Sequence, residues 1–299
     1  MENTPTPPGS ADPTAVAPPN AKGWPLYKLP NAEAASRVIA ERFEVGPRLG
    51  AGGMAWVYEC KDRVLRCRAA IKVLKDRSAD ARRRFLDEAC ILANLRHPHL
   101  VQVLGVGETE DGAPFMALEI LPGRSLEERL QGEGPLPWRE VVELAAQAAG
   151  ALEILHRAGV IHRDVKPSNL VQIRGRTDRP LVKLIDLGLA KVRDWQQVQG
   201  AGFTPPPRHP TDVGLVVGTP GFYPPEAPLV AADPRFDTFA LGATIFLLCT
   251  GALPDLQDPR TMNDVRPEAG IPPELDALVA SALAVVPDER IATAAEFQR

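Results

Sequence analysis

The segment His162–Leu170 reads HRDVKPSNL and carries Asp164, Lys166 and Asn169, an acid, a base and an amide, within a few positions of one another. A stable helix would not turn all three toward one point. Pro167 argues for a loop instead, because proline lacks an N–H and restricts the residue before it. Three such groups on one rigid loop suggest a site. Lys72 lies in the apolar, strand-like run AIKVL, where an ammonium is costly unless it is paired or functional. Glu88, on the helix-like stretch that follows, is the carboxylate that offers the pairing. Asp186 ends an apolar run just before Gly188, and a carboxylate there needs a cation or backbone N–H groups. Asn169 and Asp186 are hard oxygen ligands of the kind magnesium accepts while it also holds phosphate oxygens. Blander readings stand beside these. Lys72 can be a strand-edge lysine whose stem packs while its amine reaches water, and Asp186 a turn cap. His162 sits among apolar residues and reads as a packed histidine bonded to backbone rather than as a proton carrier.

Upstream, LGAGGMAWV (Leu49–Val57) is a glycine-rich turn that lets backbone N–H groups approach an anion such as a phosphate. Taken alone it is a common hairpin feature. The dinucleotide-binding version requires a helix immediately afterwards, whereas AWVYEC reads as a strand.

The elements that must position these groups fall into two kinds. From Phe43 to Val73, short β-prone runs between glycines predict three antiparallel strands. A helix follows, with Phe85, Ala89, Leu92 and Leu95 at helical spacing, and two more strands fit LVQVLGVGE and PFMALEI. After a junction near Glu119–Gly123 the pattern turns helical. Val141, Leu144, Ala145, Ala148, Leu152 and Leu155 share one face of a long helix ending at Gly159. LVKLIDLGLA predicts a short buried strand and turn. Phe239–Leu253 is an apolar stretch too short for a bilayer, which needs about 20 residues, so it predicts a buried core helix. A last helix places Leu275, Leu278, Val279, Ala282 and Leu283 on one side.

The bulk composition narrows the class further. The chain has 299 residues, 44% hydrophobic and 24% charged, with net charge −4, which places it with ordinary globular proteins and gives no bulk basicity for nucleic acid or an anionic membrane. Cys60, Cys67, Cys90 and Cys249 show no metal-ligand spacing, and their scatter predicts small buried hydrophobes in a reducing compartment. The N-terminus lacks a secretory pattern, so a cytoplasmic location is expected. Residues 1–30 hold eight prolines and are expected to form a disordered or extended arm.

In this order, the segments resemble the eukaryotic-like protein kinases, most closely the bacterial serine/threonine branch, over roughly residues 43–299. The resemblance implies an α+β, bilobal protein-kinase fold. A small β-rich N-lobe with one main helix would span 43–118, after a lead-in at 31–42. A hinge would occupy 119–123, and a larger, mainly α-helical C-lobe 124–299, stopping inside what resembles the final helix of a longer parent that could be membrane-anchored. LGAGGMAWV resembles the phosphate-covering loop, which makes Leu49, Gly50, Ala51, Gly52, Gly53 and Met54 nucleotide-binding positions.

By the same resemblance, Asp164 orients the attacking hydroxyl and accepts its proton, and Lys166 steadies the transferring phosphoryl group. Asn169 and Asp186 hold metal ions, and Lys72, held by Glu88, grips the α- and β-phosphates. Val57 and Ala70 would lie above an adenine and Val171 below it, with Leu118 as gatekeeper and backbone groups of Glu119 and Leu121 at the adenine edge. Glu226, in PPE, would pair with Arg290, and Asp237 would open the central buried helix. The implied activity is transfer of the γ-phosphoryl of ATP to protein serine or threonine, including autophosphorylation, in bacterial signal transduction. ATP with Mg2+, or Mn2+, is the implied cofactor set, and protein substrates and the chain itself are the partners, with no nucleic acid. The alternatives are a pseudokinase or nucleotide-binding scaffold without turnover, and a small-molecule kinase.

The chain departs from the family pattern in places. Ala55 replaces the third loop glycine, and Leu187 stands where the family has phenylalanine. The segment from Asp186 to Glu226 is long and proline-rich. Thr211 and then Thr204 are the candidates for a phosphate that Arg163 would receive, and an unmodified segment is the alternative. Thr219 is expected to hydrogen-bond to Asp164 or Lys166. After Gly251 a helix that the family uses for docking is expected to be shortened or lost.

Overall fold

The computed structural model describes residues 38–51, 54–174, 180–187, 191–192, 219–227 and 233–298. The expected proline-rich arm, loop residues Gly52 and Gly53, and the candidate phosphosites Thr204 and Thr211 lie outside the described residues.

Short runs carrying β-prone residues such as Val45, Val57, Tyr58, Ile71 and Val73 set up the first sheet. β1 (Val38–Ile39), β2 (Phe43–Ala51), β3 (Ala55–Asp62) and β4 (Cys67–Leu74) run antiparallel. α1 (Ala79–Asn94) intervenes before β5 (Val103–Glu108) and β6 (Pro114–Glu119) complete six strands in the order β1-β2-β3-β4-β6-β5. Ser78 caps α1 by accepting from Ala81 N. Phe85, Ala89 and Leu92 are buried on the α1 face turned to the core.

Past β6 the chain enters β7 (Gly123–Ser125), where a side chain on residue 123 would stand only 1.9 Å from the Gln172 carbonyl oxygen, so only glycine fits. Ser125 and Glu128 form a capping box that starts α2 (Leu126–Glu133). α3 (Trp138–Arg157) buries all six residues of its expected apolar face and ends two residues before Gly159, which takes φ 73. β8 (Val160–Ile161) leads to the HRDVKPSNL loop and a one-turn 3-10 helix at Pro167–Asn169. β9 (Leu170–Arg174) and β10 (Pro180–Leu184) pair antiparallel, with β7 on the far side of β9, and β11 (Lys191–Val192) pairs with β8.

α4 (Pro234–Thr250) is apolar around almost its whole circumference and buried accordingly. It starts five residues before the apolar run at Phe239 and three before Asp237, the opening that the family resemblance implied, because Asp233 caps it and Pro234 occupies the first helical position. Gly251, at φ 82, ends it in the left-handed region. Beyond it stand the single turn α5 (Met262–Val265), a 3-10 turn at Pro267–Ala269, α6 (Pro273–Ala282) and a final 3-10 segment at Ala294–Gln298. The region after Gly251 is therefore short of helix, as its prolines imply. On α6, Val279 and Ala282 are buried while Leu275, Leu278 and Leu283 pack partly buried against the same core.

One expectation needs correcting. Cys60 and Cys249 are buried and Cys90 is half-buried, but Cys67 is exposed at the start of β4, and all four are free thiols. Cys67 is the first residue of an interior strand, at the hairpin end where the strand is still exposed, and no core lies there for it to enter. No helix among the described residues is long and apolar enough to cross a membrane.

Candidate active site

Residue pairing across β3, β4 and β6 puts one set of side chains on one face. Val57 lies opposite Lys72, and Ala70 opposite Leu118. Because side chains alternate along a strand, Val57, Ala70, Lys72 and Leu118 all project toward the α1 side of the sheet. There the Lys72 ammonium meets Glu88 Oε1 at 2.8 Å and donates to Asp186 Oδ1, 114 residues further along the chain. Burial alone would depress the lysine's pKa, but the two carboxylates outweigh it and hold the group charged. Burial likewise works against the Asp186 carboxylate, and the Lys72 charge and hydrogen bond win, lowering its pKa. Asp186 takes φ 58, a left-handed conformation unusual for a non-glycine residue and of the kind that clusters at functional sites. Leu187, in the usual phenylalanine position, is 2% exposed and fills the apolar core.

The HRDVKPSNL loop gathers a second cluster. Lys166 Nζ lies 3.0 Å from Asp164 Oδ1 and donates to Thr219 Oγ1 at 2.6 Å; that hydroxyl in turn donates to Asp164 Oδ1 at 3.0 Å. Asn169 Nδ2 donates to Asp164 O at 2.8 Å and to Oδ2 at 3.0 Å. Ile185 N donates to Asn169 O at 2.9 Å, which ties this loop to the residue just before Asp186. Asp164, Lys166, Asn169 and Thr219 thus form one hydrogen-bonded group, while Lys72, Glu88 and Asp186 form another beside it.

Asp237, at 0% exposure, anchors the loop from below. Its Oδ2 accepts from His162 N at 2.9 Å and its Oδ1 from Arg163 N at 2.8 Å. Arg163 takes φ 69, a strained choice that these charge-assisted bonds offset. His156 Nε2 also reaches Asp237 Oδ2, at 2.7 Å. Burial opposes the Asp237 charge, yet His156 and the loop N–H groups hold its pKa below the usual carboxylate range. His162 is fully buried, its pKa lowered by burial, and its Nδ1 accepts from Asp164 N at 3.2 Å: a packed, neutral histidine. Arg163 Nε is buried with no hydrogen-bond partner among the described residues, and burial pulls its pKa down to about 10.

The stretch from Leu118 to Gly123 has its own fastening. Glu119 N donates to Gln102 O at 3.0 Å, and Glu119 Oε1 accepts from Gln102 N at 2.9 Å and from buried Lys183 Nζ at 2.5 Å. Lys183 also donates to Leu100 O and stands opposite Val171 in the β9–β10 pair. Sequence reasoning singled out neither Lys183 nor His156. Their partners lie 64 and 81 residues away; Lys183 does interrupt the apolar run LVKLI, the signal that could have found it, whereas His156 breaks no local pattern. Leu121 O accepts from Gly123 N at 2.9 Å. At the other end of the sheet, Leu49 and Met54 are exposed, and Gly50 and Ala51 pair with Val57 and Trp56.

Glu226 and Arg290 meet away from both clusters. Arg290 Nη1 lies 2.7 Å from Glu226 Oε1 and Nη2 lies 3.2 Å from Oε2, while Nε and Nη2 also bond Ala284 O.

Comparison with known proteins agrees with this architecture. The family model described as "Protein kinase domain" matches residues 43–298. The serine/threonine-protein kinase pkn3 of Myxococcus xanthus is 34% identical over 283 residues, covering 89% of this chain and 50% of that protein. PknB of Mycobacterium leprae is 33% identical over 282 residues, covering 87% of this chain and 42% of that protein. The chain spans half or less of the length of these relatives. The crystal structure of the Mycobacterium tuberculosis PknI kinase domain superposes with a TM-score of 0.66 at 27% identity, covering 90% of this chain and 97% of that one. The chain belongs to the protein kinase family, in its eukaryotic-like bacterial serine/threonine branch.

Proposed function

We propose that the chain is the catalytic part of an ATP-dependent protein serine/threonine kinase, one that transfers the γ-phosphoryl of ATP to hydroxyls of protein substrates and of itself, in bacterial cytoplasmic signalling. One observation carries the reading: Lys72 reaches Glu88 and Asp186 at once, beside the bonded group of Asp164, Lys166 and Asn169. In this reading residues 43–118 and 124–299 are the two lobes, with 119–123 as their hinge and 1–30 as an appended arm.

Phosphoryl transfer asks for positioning and charge neutralisation more than for covalent chemistry. Lys72, held by Glu88, is placed to bind the α- and β-phosphates. Val57, Ala70 and Leu118 share the sheet face above an adenine, and Val171, opposite Lys183, serves as its floor. Lys183, by gripping the Glu119 side chain, orients the stretch whose backbone meets the adenine edge. Among the described residues no three His, Cys, Asp or Glu side chains converge to hold an ion. A divalent metal would therefore rest on Asp186 and Asn169 together with phosphate oxygens, the mode magnesium favours, and manganese fits the same oxygen set. When bound, that ion would neutralise charge on the terminal phosphates. Asp164 would hold the acceptor hydroxyl and take its proton as the new P–O bond forms and the bond from the γ-phosphorus to the β–γ bridging oxygen breaks, releasing ADP. An aspartate is a weak base, so holding matters more than proton removal. Lys166 offers its ammonium to the transferring phosphoryl, and Thr219, bonded to both, keeps the pair in register. Arg163, whose buried Nε has no hydrogen-bond partner among the described residues, is the receptor for a phosphate on Thr211 or Thr204.

The presence of every polar group that the chemistry needs weighs against a module without turnover. The test is incorporation of label from γ-labelled ATP and magnesium into the chain and into a basic protein, with phosphoamino-acid analysis. Label on serine or threonine, reduced at least 100-fold in Lys72→Met, is expected from losing a main phosphate contact. Equal incorporation by wild type and variant would rule the reading out.

A further inference from the structure

The β3–β4 hairpin carries the sequence Lys61-Asp62-Arg63-Val64-Leu65-Arg66-Cys67-Arg68, and its tip holds two aliphatic side chains out in solvent. Val64 and Leu65 are 69% and 56% exposed, more than any other large hydrophobic residue among those described. A single exposed aliphatic residue needs no explanation. These two are adjacent, at the apex, and fastened there. Asp62, itself 0% exposed, accepts from Val64 N at 2.9 Å and from Leu65 N at 3.0 Å through Oδ1. Its Oδ2 accepts from Arg42 Nε at 3.0 Å and Nη2 at 2.6 Å. Arg63 N donates to Arg42 O at 2.9 Å, and Arg66, at φ 54, closes the turn. A tip tied at this many points cannot fold its apolar pair back onto the sheet.

The charges around it are not evenly spent. Arg42 is used on Asp62, Arg68 is paired with Glu59 at 2.7 Å, and Lys61 lies opposite Glu44 in the strand register. Arg63 and Arg66 flank the apolar pair on either side, are exposed, and make no ion pair among the described residues. The chain as a whole carries net charge −4, so this patch is a local exception to the bulk.

We propose that the hairpin tip docks on an anionic lipid surface, with Val64 and Leu65 entering the headgroup–acyl boundary and Arg63 and Arg66 bonding lipid phosphates. The shape favours a bilayer over an acidic protein. The tip is convex, and a fluid surface takes a protruding pair without a ready-made pocket. Guanidinium forks match phosphate oxygens. Two aliphatic side chains and two cations give a reversible peripheral contact rather than an anchor. Because the fastening exists before contact, little ordering entropy is lost on docking. None of these residues belongs to the catalytic clusters, so this inference stands or falls apart from the kinase reading.

The test is co-sedimentation of the full chain with phosphatidylcholine vesicles, with and without phosphatidylglycerol, at low and physiological salt. The variants are Val64→Asn with Leu65→Asn, and Arg63→Gln with Arg66→Asn. Asparagine tolerates the left-handed turn position, and unchanged melting temperatures certify the fold. Wild type is expected to bind only vesicles containing phosphatidylglycerol, less as salt screens the attraction. The arginine variant is expected to lose about fivefold per cation removed, and the aliphatic variant at least about tenfold. Wild type that ignores the anionic vesicles, binds neutral ones equally, or binds no better than the variants overturns the proposal. In the first case an acidic protein becomes the occupant to seek.

Discussion

Asp164→Asn is expected to lower kcat for protein phosphorylation about 10²–10⁴-fold, on the order of 3–5 kcal/mol of transition-state stabilisation, with ATP affinity nearly unchanged. The reason lies in how many donors the carboxylate serves. Oδ1 receives Thr219, Oδ2 receives Asn169, and the Lys166 ammonium straddles the two, 3.0 Å from Oδ1 and 2.8 Å from Oδ2. An asparagine accepts on one side only. Whichever way its amide turns, an NH2 then faces a donor, so the loop loses position as well as the group that holds the acceptor hydroxyl. Lys72 and its partners are untouched, which is why binding of ATP should survive. Steady-state kinetics with nucleotide titration would check this. A variant that keeps wild-type kcat would remove Asp164 from the mechanism, and one that loses ATP binding in parallel would mean a general collapse of the cleft.

The second large effect concerns stability. Arg290 is buried, its side chain 0% exposed beside a Glu226 side chain at 14%, and it satisfies Ala284 O as well as the carboxylate. Removing one member of such a pair leaves the other desolvated and uncompensated, at a cost of about 3–5 kcal/mol. Arg290→Met is therefore expected to lower the melting temperature by roughly 10 °C for a domain of this size. Arg290→Lys should recover little, because a lysine is a point charge and cannot reach the carboxylate and the carbonyl together. Thermal unfolding of both variants checks this, and a shift under about 2 °C in Arg290→Met would show that the pair contributes little.

How much of this was legible beforehand depended on the range of each signal. Five of the six strands of the first sheet and α1, α3, α4 and α6 left periodic or punctuated marks in the sequence, and the structure has them within a few residues; the two-residue β1 (Val38–Ile39) is too short to leave one. Lys72 stood out because an ammonium inside AIKVL contradicts its surroundings, and its partner Glu88 lay on the next element. Lys183, inside LVKLI, contradicts its surroundings in the same way, but its partner is not on the next element: only when β10 lies beneath Leu118–Gly123 does its ammonium meet Glu119, 64 residues back. His156 ends α3 like any surface residue, and only folding brings it to Asp237. Asp276 is similar. It stands at the border of the α6 apolar face rather than within it, yet it is buried, accepting from Met262 N and from the Asn263 side chain. Periodicity predicts which face is apolar. It carries no information on which polar residue will be covered by a distant loop. The start of α4 lies outside the apolar run for a related reason: Asp237 and Thr238 are polar yet buried, and capping by Asp233 begins the helix three residues before Asp237.

The central claim is spatial: groups from Lys72 to Asp186 surround one triphosphate and its divalent ion. A crystal structure of the chain with magnesium and a non-hydrolysable ATP analogue tests it most directly. The expected result has the Lys72 ammonium on the α- and β-phosphates, Asp186 and Asn169 on the metal, and the adenine between Ala70 and Val171 with its edge at Glu119–Leu121. A nucleotide bound elsewhere on the chain, or one in this cleft whose phosphates touch neither Lys72 nor an ion held by Asp186, would contradict it.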